Sequence, residues 1–251
     1  MSSEAASWFE LFRAFGRAPS PDTYAAVFHP EGEVADAGAP PVPASQVREA
    51  IALILQLMPD LFIDMKRYRE RGDSVFVDAA NRGTLNGTTV AWNAVYRVRL
   101  KERRVHRGRR FYDQATVLRA LRPDMGRLPQ LEPSSPPFSG TYADLMPGTP
   151  FALFFATGAW VESPDQQQPL SAGDLRRHLS GAPFEAVDWA ADDTLAFVEW
   201  RRGDVLGADM LELKDGAIVT LRRNFDTLGL LAAHDPSVTA LRATLLSNAR
   251  R

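Results

Sequence analysis

No cysteine occurs among the 251 residues, which excludes disulfides, thiolate metal sites and a cysteine nucleophile. Histidine is scarce too. His29, His106, His178 and His234 are the four, none lies four residues from another, and no metal site is expected. No apolar run approaches the roughly 20 residues of a membrane helix. The opening Met1-Ser2-Ser3-Glu4 lacks the basic start and apolar core of a signal peptide. These absences predict a cytoplasmic protein with no membrane partner. No sign of charge dominates either. A formal net charge of -2 gives no global pull toward nucleic acid. No glycine-rich phosphate loop is present, and no cofactor is expected.

What the chain does contain is a repeat of itself. Thr23 to Ser45 lies without a gap on Thr149 to Ser171, placing Gly32 on Gly158, Val34 on Trp160, Asp36 on Glu162 and Ser45 on Ser171. Further on, Arg109-Arg110-Phe111-Tyr112-Asp113 falls on Arg222-Arg223-Asn224-Phe225-Asp226. Two matches in the same order indicate duplication. Between them, residues 123–140 carry five prolines and no apolar periodicity, the pattern of a semi-extended linker. The expected organisation is a domain over 1–122, a linker over 123–140 and a shorter second domain over 141–251.

Each domain reads as α+β. Trp8, Phe9, Leu11, Phe12 and Phe15 have helical spacing, Pro21 opens a second helix, and Ser45 is placed to cap a third. Ser171, with Asp174 three residues on, is the corresponding cap in the second half. After Pro59 the period changes to two, and Asn86-Gly87 marks a type I′ hairpin. From that turn, parity sets Asn81 opposite Trp92 and Val77 opposite Tyr96. A second turn over Lys101 to Arg104 sets Tyr96 opposite Arg109 and Ala94 opposite Phe111. One face then holds Asn81, Trp92, Tyr96, Arg109 and Phe111 among apolar residues. The other holds Arg82, Arg97, Arg99, His106 and Arg110 and is expected to be wet. The same exercise in the second half groups Val198, Trp200, Asp209, Leu211, Thr220, Arg222 and Asn224 on the pocket face. Its reverse, with Leu195, Phe197, Leu206, Met210, Leu221 and Phe225, is too apolar for water. It predicts a sheet contact with the other domain or with a second chain.

The segments Phe28-His29-Pro30-Glu31-Gly32-Glu33-Val34-Ala35-Asp36, Met58-Pro59-Asp60-Leu61, Gly72 to Val77, Arg82-Gly83-Thr84 and Phe111-Tyr112-Asp113 resemble the NTF2-like superfamily, specifically its SnoaL-like branch. The resemblance spans nearly all of residues 1–122 and is thinner in the second half. It implies two cone-shaped domains, each a curved, mostly antiparallel sheet with helices over a pocket for a small hydrophobic molecule. The superfamily includes ketosteroid isomerases, polyketide cyclases, epoxide hydrolases and proteins without chemistry, so the fold names no reaction.

The resemblance implies a general base at Asp36, where a carboxylate at an apolar rim is partly desolvated and its pKa rises. The same residue read alone closes a turn before Ala37-Gly38. Glu162 is its counterpart in the repeat. Phe12 stands where ketosteroid isomerases keep an oxyanion-binding tyrosine, and Asn93 falls on the wet face. Asp209 opposite Arg222, with Glu162 as second acid and Asn224 beside them, resembles the Asp-Arg-Asp cluster of limonene-type epoxide hydrolases; it also reads as a plain cross-strand ion pair. Asn81, Trp92, Tyr96 and Arg109 in the first half, with Trp200 and Asn224 in the second, are the candidate substrate contacts. The expected function is cofactor-independent acid-base chemistry on a polyketide-, terpenoid- or steroid-like molecule, by ring closure, epoxide opening or isomerisation. The alternative is a binding or scaffolding protein. The basic run Arg97 to Arg110 lacks interleaved aromatics and reads as a solvated sheet back, with no nucleic-acid partner.

Overall fold

A computed structural model describes residues 3–126, 140–166, 168–171 and 184–240. Most of the proline-rich stretch lies outside the described residues, as do Asp174 and the helix expected to be capped by Ser171. Two six-stranded sheets form the framework, and their strands run in the same spatial order. In the first half, helices α1 (Ser3–Arg17), α2 (Pro21–Ala26) and α3 (Ala44–Leu57) accompany strands β1 (Phe28–Asp36), β2 (Val42–Pro43), β3 (Phe62–Arg71), β4 (Ser74–Leu85), β5 (Thr88–Lys101) and β6 (Arg104–Phe111), followed by α4 (Gln114–Leu118). The sheet order is β2-β1-β6-β5-β4-β3. In the second half come α5 (Tyr142–Leu145), β7 (Phe155–Glu162), β8 (Leu170–Ser171), β9 (Glu185–Ala191), β10 (Leu195–Arg202), β11 (Val205–Lys214), β12 (Ala217–Phe225) and α6 (Leu228–His234). Their sheet order is β8-β7-β12-β11-β10-β9. In both sheets the pair that closes the duplicated unit, β1 with β6 and β7 with β12, is parallel and the other pairs are antiparallel.

Local chemistry explains the elements. Trp8, Phe12 and Phe15 recur at helical spacing on α1 and are buried against the first sheet. Ser20 accepts from the Thr23 amide and Pro21 occupies the first turn of α2, a capping arrangement that leaves no needed donor missing. The cap of α3 differs from the sequence expectation. Pro43 is the N-cap and makes no side-chain bond, and Ser45 lies inside the first turn. Asn86 and Gly87 have φ of 51° and 75°, the left-handed pair of a type I′ turn. That turn fixes Asn81 opposite Trp92 and Val77 opposite Tyr96.

The next hairpin departs from simple parity. Leu100 still faces Val105, but Arg99 faces Arg107, so His106 is an extra residue. Such a bulge turns every later side chain to the other face. Arg110 is therefore opposite Tyr96, and Phe111 is opposite Val95. The second half bulges at the equivalent place: Leu213 faces Ile218, Glu212 faces Thr220, and Val219 is extra. Arg223, not Arg222, is opposite Asp209 there.

Each sheet has an inner face under its own helices and an outer face against the other sheet. The first inner core joins α1, α2 and α3 to Val75, Val77, Ala79, Tyr96 and Val98. The second is built from Tyr142, Met146, Phe184, Trp200, Leu221 and Phe225. Leu221 and Phe225 thus belong to the inner face, a correction that follows from the second bulge. The outer faces meet along Phe76, Val95, Phe111, Leu195, Phe197 and Met210. Phe76 and Phe197 stack at 5.8 Å with planes 13° apart. The first outer face, expected to be wet, is in large part covered by the second half of the same chain.

Candidate functional site

A cavity of about 290 Å³ opens inside the first half, between the helices and the concave face of the sheet. Phe12, Phe15, Ile51, Met58, Leu61, Ile63 and Trp92 supply an apolar wall. Phe12 meets the Tyr96 ring edge-on at 5.2 Å. Short α4 closes another side with Gln114, Val117 and Leu118. The polar groups gather where β4, β5 and β6 converge: Asn81, Tyr96, Arg110 and Tyr112, with Tyr24 from α2.

These groups form a connected set. The Arg110 Nε donates to Asp36 Oδ1 at 2.7 Å, and its Nη1 donates to the Tyr24 hydroxyl at 3.5 Å. The Tyr96 hydroxyl donates to Asn81 Oδ1 at 3.3 Å, and Asn81 Nδ2 donates to the Trp92 carbonyl at 3.4 Å. Tyr112 lines the cavity, and its hydroxyl makes no hydrogen bond among the described residues. Burial pushes the ionisation of Tyr24, Tyr96 and Tyr112 upward, with the Arg110 charge opposing it in all three. The three phenols are therefore neutral hydroxyls at ordinary pH. Burial by itself would lower the pKa of Arg110, but Asp36 and the surrounding tyrosines hold it well above its ordinary value. The guanidinium stays charged in an apolar setting because its carboxylate partner is beside it.

The structure brings Asn81, Trp92 and Tyr96 to this cavity and sets Asp36 behind Arg110, not among the lining residues. Arg109 does not face the cavity. It lies on the outer face and binds Glu199 of the second half, because the bulge at His106 exchanges it for Arg110. Sequence parity missed Arg110 for the same reason. Tyr112 stood out in the sequence only within the Phe111-Tyr112-Asp113 motif, and nothing local marked it or Tyr24 as a cavity hydroxyl.

The second half is built differently. Asp209 accepts two bonds from Arg223, at 2.8 and 2.6 Å, one from the Tyr142 hydroxyl at 2.9 Å and one from Trp200 Nε1 at 2.8 Å. Asp209 and Trp200 are sealed from solvent, at 0% and 2% exposure. The indole covers Gly207, where a Cβ would overlap the ring. This cluster fills the position that Arg110 and the tyrosines hold in the first half, so Asp209 and Trp200 do not meet solvent or a ligand cavity there. Arg222 points outward to Asp78 Oδ1 at 2.9 Å, with Glu162 Oε2 at 3.4 Å. Asn224 also lies on the outer face, bonded to the Ala208 and Arg222 carbonyls. The four residues Glu162, Asp209, Arg222 and Asn224 therefore do not form one inward cluster.

Glu162 is not the spatial counterpart of Asp36. Asp36 pairs with Arg110 across β1 and β6, whereas Glu162 pairs with Arg222 across β7 and β12. Glu33 and Trp160 occupy matching places, opposite Arg107 and Thr220, so the gapless sequence alignment is out of step by one residue.

No protein-family model matches the sequence, and no curated protein does. Solved structures similar to this chain include a protein of ketosteroid isomerase-like fold from Catenulispora acidiphila in complex with trimethylamine, at 17% identity and TM-score 0.42, covering 47% of this chain and 92% of that one. A Jannaschia protein named as a SnoaL-like polyketide cyclase is similar at 18% identity and TM-score 0.42, covering 48% and 94%. An NTF2-like protein from Burkholderia thailandensis is similar at 17% identity and TM-score 0.42, covering 48% and 98%. Each spans about half of this chain.

Proposed function

We propose that the first-half cavity takes up a small, largely apolar molecule bearing one oxygen function and carries out cofactor-independent acid-base chemistry on it. The supporting observation is the Asp36–Arg110 pair set among three neutral tyrosine hydroxyls at the end of an apolar cavity. In this reading Arg110 and the Tyr112 hydroxyl bind the ligand oxygen and stabilise negative charge on it. Asp36 Oδ2, which makes no hydrogen bond among the described residues, accepts the proton. Ring closure, epoxide opening and isomerisation each need such a proton acceptor and a stabilised oxygen. The buried Asp209–Arg223 cluster casts the second half as the scaffold.

A second reading, that the cavity holds its ligand unchanged, is favoured by the absence of Asp36 from the cavity wall. Turnover of a panel of epoxides, steroid enones and polyketide-like lactones, followed by mass spectrometry, separates the two. The enzyme reading expects conversion by the wild type, abolished in Asp36→Asn while ligand binding persists, and retained in Glu162→Gln. A ligand bound tightly and recovered unchanged, or full turnover by Asp36→Asn, overturns it.

A further inference from the structure

The outer face of the first sheet carries two successive cross-strand rungs made of arginine alone: Arg97 opposite Arg109, and Arg99 opposite Arg107. Like charges placed directly opposite on neighbouring strands repel, and an anion between the guanidinium groups relieves that repulsion. The first has one. Glu199, fully buried on the second sheet, accepts from Arg97 Nε at 2.8 Å and from Arg109 Nη1. The second, whose side chains are 42% and 63% exposed, has no bridging carboxylate among the described residues; each arginine has a separate, longer ion pair. The nearest carboxylate to Arg99 is Asp73, at 3.8 Å, and that to Arg107 is Glu33, at 4.0 Å. Neither contact is a hydrogen bond, and Arg99 Nε is shielded from solvent with no hydrogen-bond partner. Both rungs line one crevice of about 320 Å³, which four arginines share with the carboxylates Glu33 and Asp36, with Pro41 from the first half and Leu206 from the second at its border.

The packing of the two halves does not require the second rung. Arg109 and Arg222 are equivalent and each meets a carboxylate of the opposite half, Glu199 and Asp78. At the places of Arg97, Arg99 and Arg107 the second half has Met210, Glu212 and Thr220, set by matching strand register. We propose that the Arg99–Arg107 rung is a binding site for a phosphate-type oxyanion, a pyrophosphate or a diphosphate-bearing molecule. The anion bridges the two guanidinium groups as Glu199 bridges the neighbouring pair. Forked guanidinium donors suit paired phosphate oxygens. The crevice shares no lining residue with the helix-covered cavity, and Asp36, on its wall, is bonded to Arg110 of that cavity.

Isothermal titration of the full chain with sodium pyrophosphate at low salt tests this. The expected result is one saturable site whose affinity falls at least tenfold in Arg99→Ala and in Arg107→Ala and falls steeply with added salt. Arg201→Ala, which removes a surface arginine paired with Glu185, is expected to leave it unchanged. Pyrophosphate should raise the melting temperature of the wild type and not of Arg99→Ala, a readout that also shows the variant is folded. Absence of saturable binding, wild-type affinity in either rung variant, or tighter binding of citrate than of pyrophosphate overturns the assignment.

Discussion

Arg110 and Arg223 occupy matching positions in the two halves, yet their surroundings give them opposite tasks. Arg110 lines the cavity and is held from behind by the Asp36 carboxylate. Arg223 is forked onto Asp209 beneath Tyr142 and Trp200, and Phe184 stacks on its guanidinium at 4.6 Å. A buried ion pair with every lone pair occupied is held by geometry, and loss of one member leaves the other charged and dry. Asp209→Leu is accordingly expected to cost about 3–5 kcal/mol in urea unfolding. Adding Arg223→Met to it should restore most of the loss. A single substitution without measurable cost would show that Arg223 reaches water.

At the scale of elements, short α4 links the cavity to the second half. Its first amide, on Gln114, donates to Asp226 Oδ1 at 3.1 Å, while Asp113 accepts from the Thr227 amide and hydroxyl at 2.9 and 2.6 Å. The two aspartates are repeat equivalents, and each satisfies the helix start of the opposite half. Burial raises the Asp226 carboxyl to about 7, opposed by the Leu228 amide, helped by nearby Asp113, opposed by Gln114 and helped by Asp36. Its native pKa thus lies above that of an unfolded aspartate, near ~3.9. The native state keeps this proton between those values while the unfolded chain releases it, so the group's stabilisation is complete at low pH and is lost as pH rises to about 7. Asp226→Asn is expected to flatten the fall in urea stability between roughly pH 4 and 7. Identical slopes in both proteins would refute the assignment.

The same scale explains what was legible in the sequence. The Asn86-Gly87 turn fixes its own backbone, so the register of β4 on β5 could be read from residue types. The inward Asn81, Trp92 and Tyr96 followed from it. The bulges at His106 and Val219 carry no such mark, since neither residue type demands one. Each reversed a two-arginine run, giving Arg109 for Arg110 and Arg222 for Arg223. The one-residue slip between β1 and β7 similarly set Glu162 in the sequence alignment where the counterpart of Asp36 was expected. Tyr24 and Tyr112 join the site only through tertiary packing, which no local pattern encodes.

The molecule as a whole is a duplicated unit folded back on itself about a near-symmetric contact. Phe76 and Phe197 hold equivalent rungs, opposite Arg97 and Met210, and stack on each other. Around them Arg109–Glu199 and Arg222–Asp78 repeat one ion pair in both directions. Both rings are fully buried, and each would be exposed if the halves stood apart. Truncating either to alanine is expected to cost about 3–5 kcal/mol. Because the rings lie 121 positions apart and touch only through this contact, their coupling reports on the contact itself. Phe76→Ala and Phe197→Ala combined should cost less than the sum of the two, by about 0.5–1.5 kcal/mol of ring–ring interaction. Costs near zero for each variant would mean that the halves do not pack on these faces in solution. Full costs that add without coupling would mean that each ring is buried within its own half.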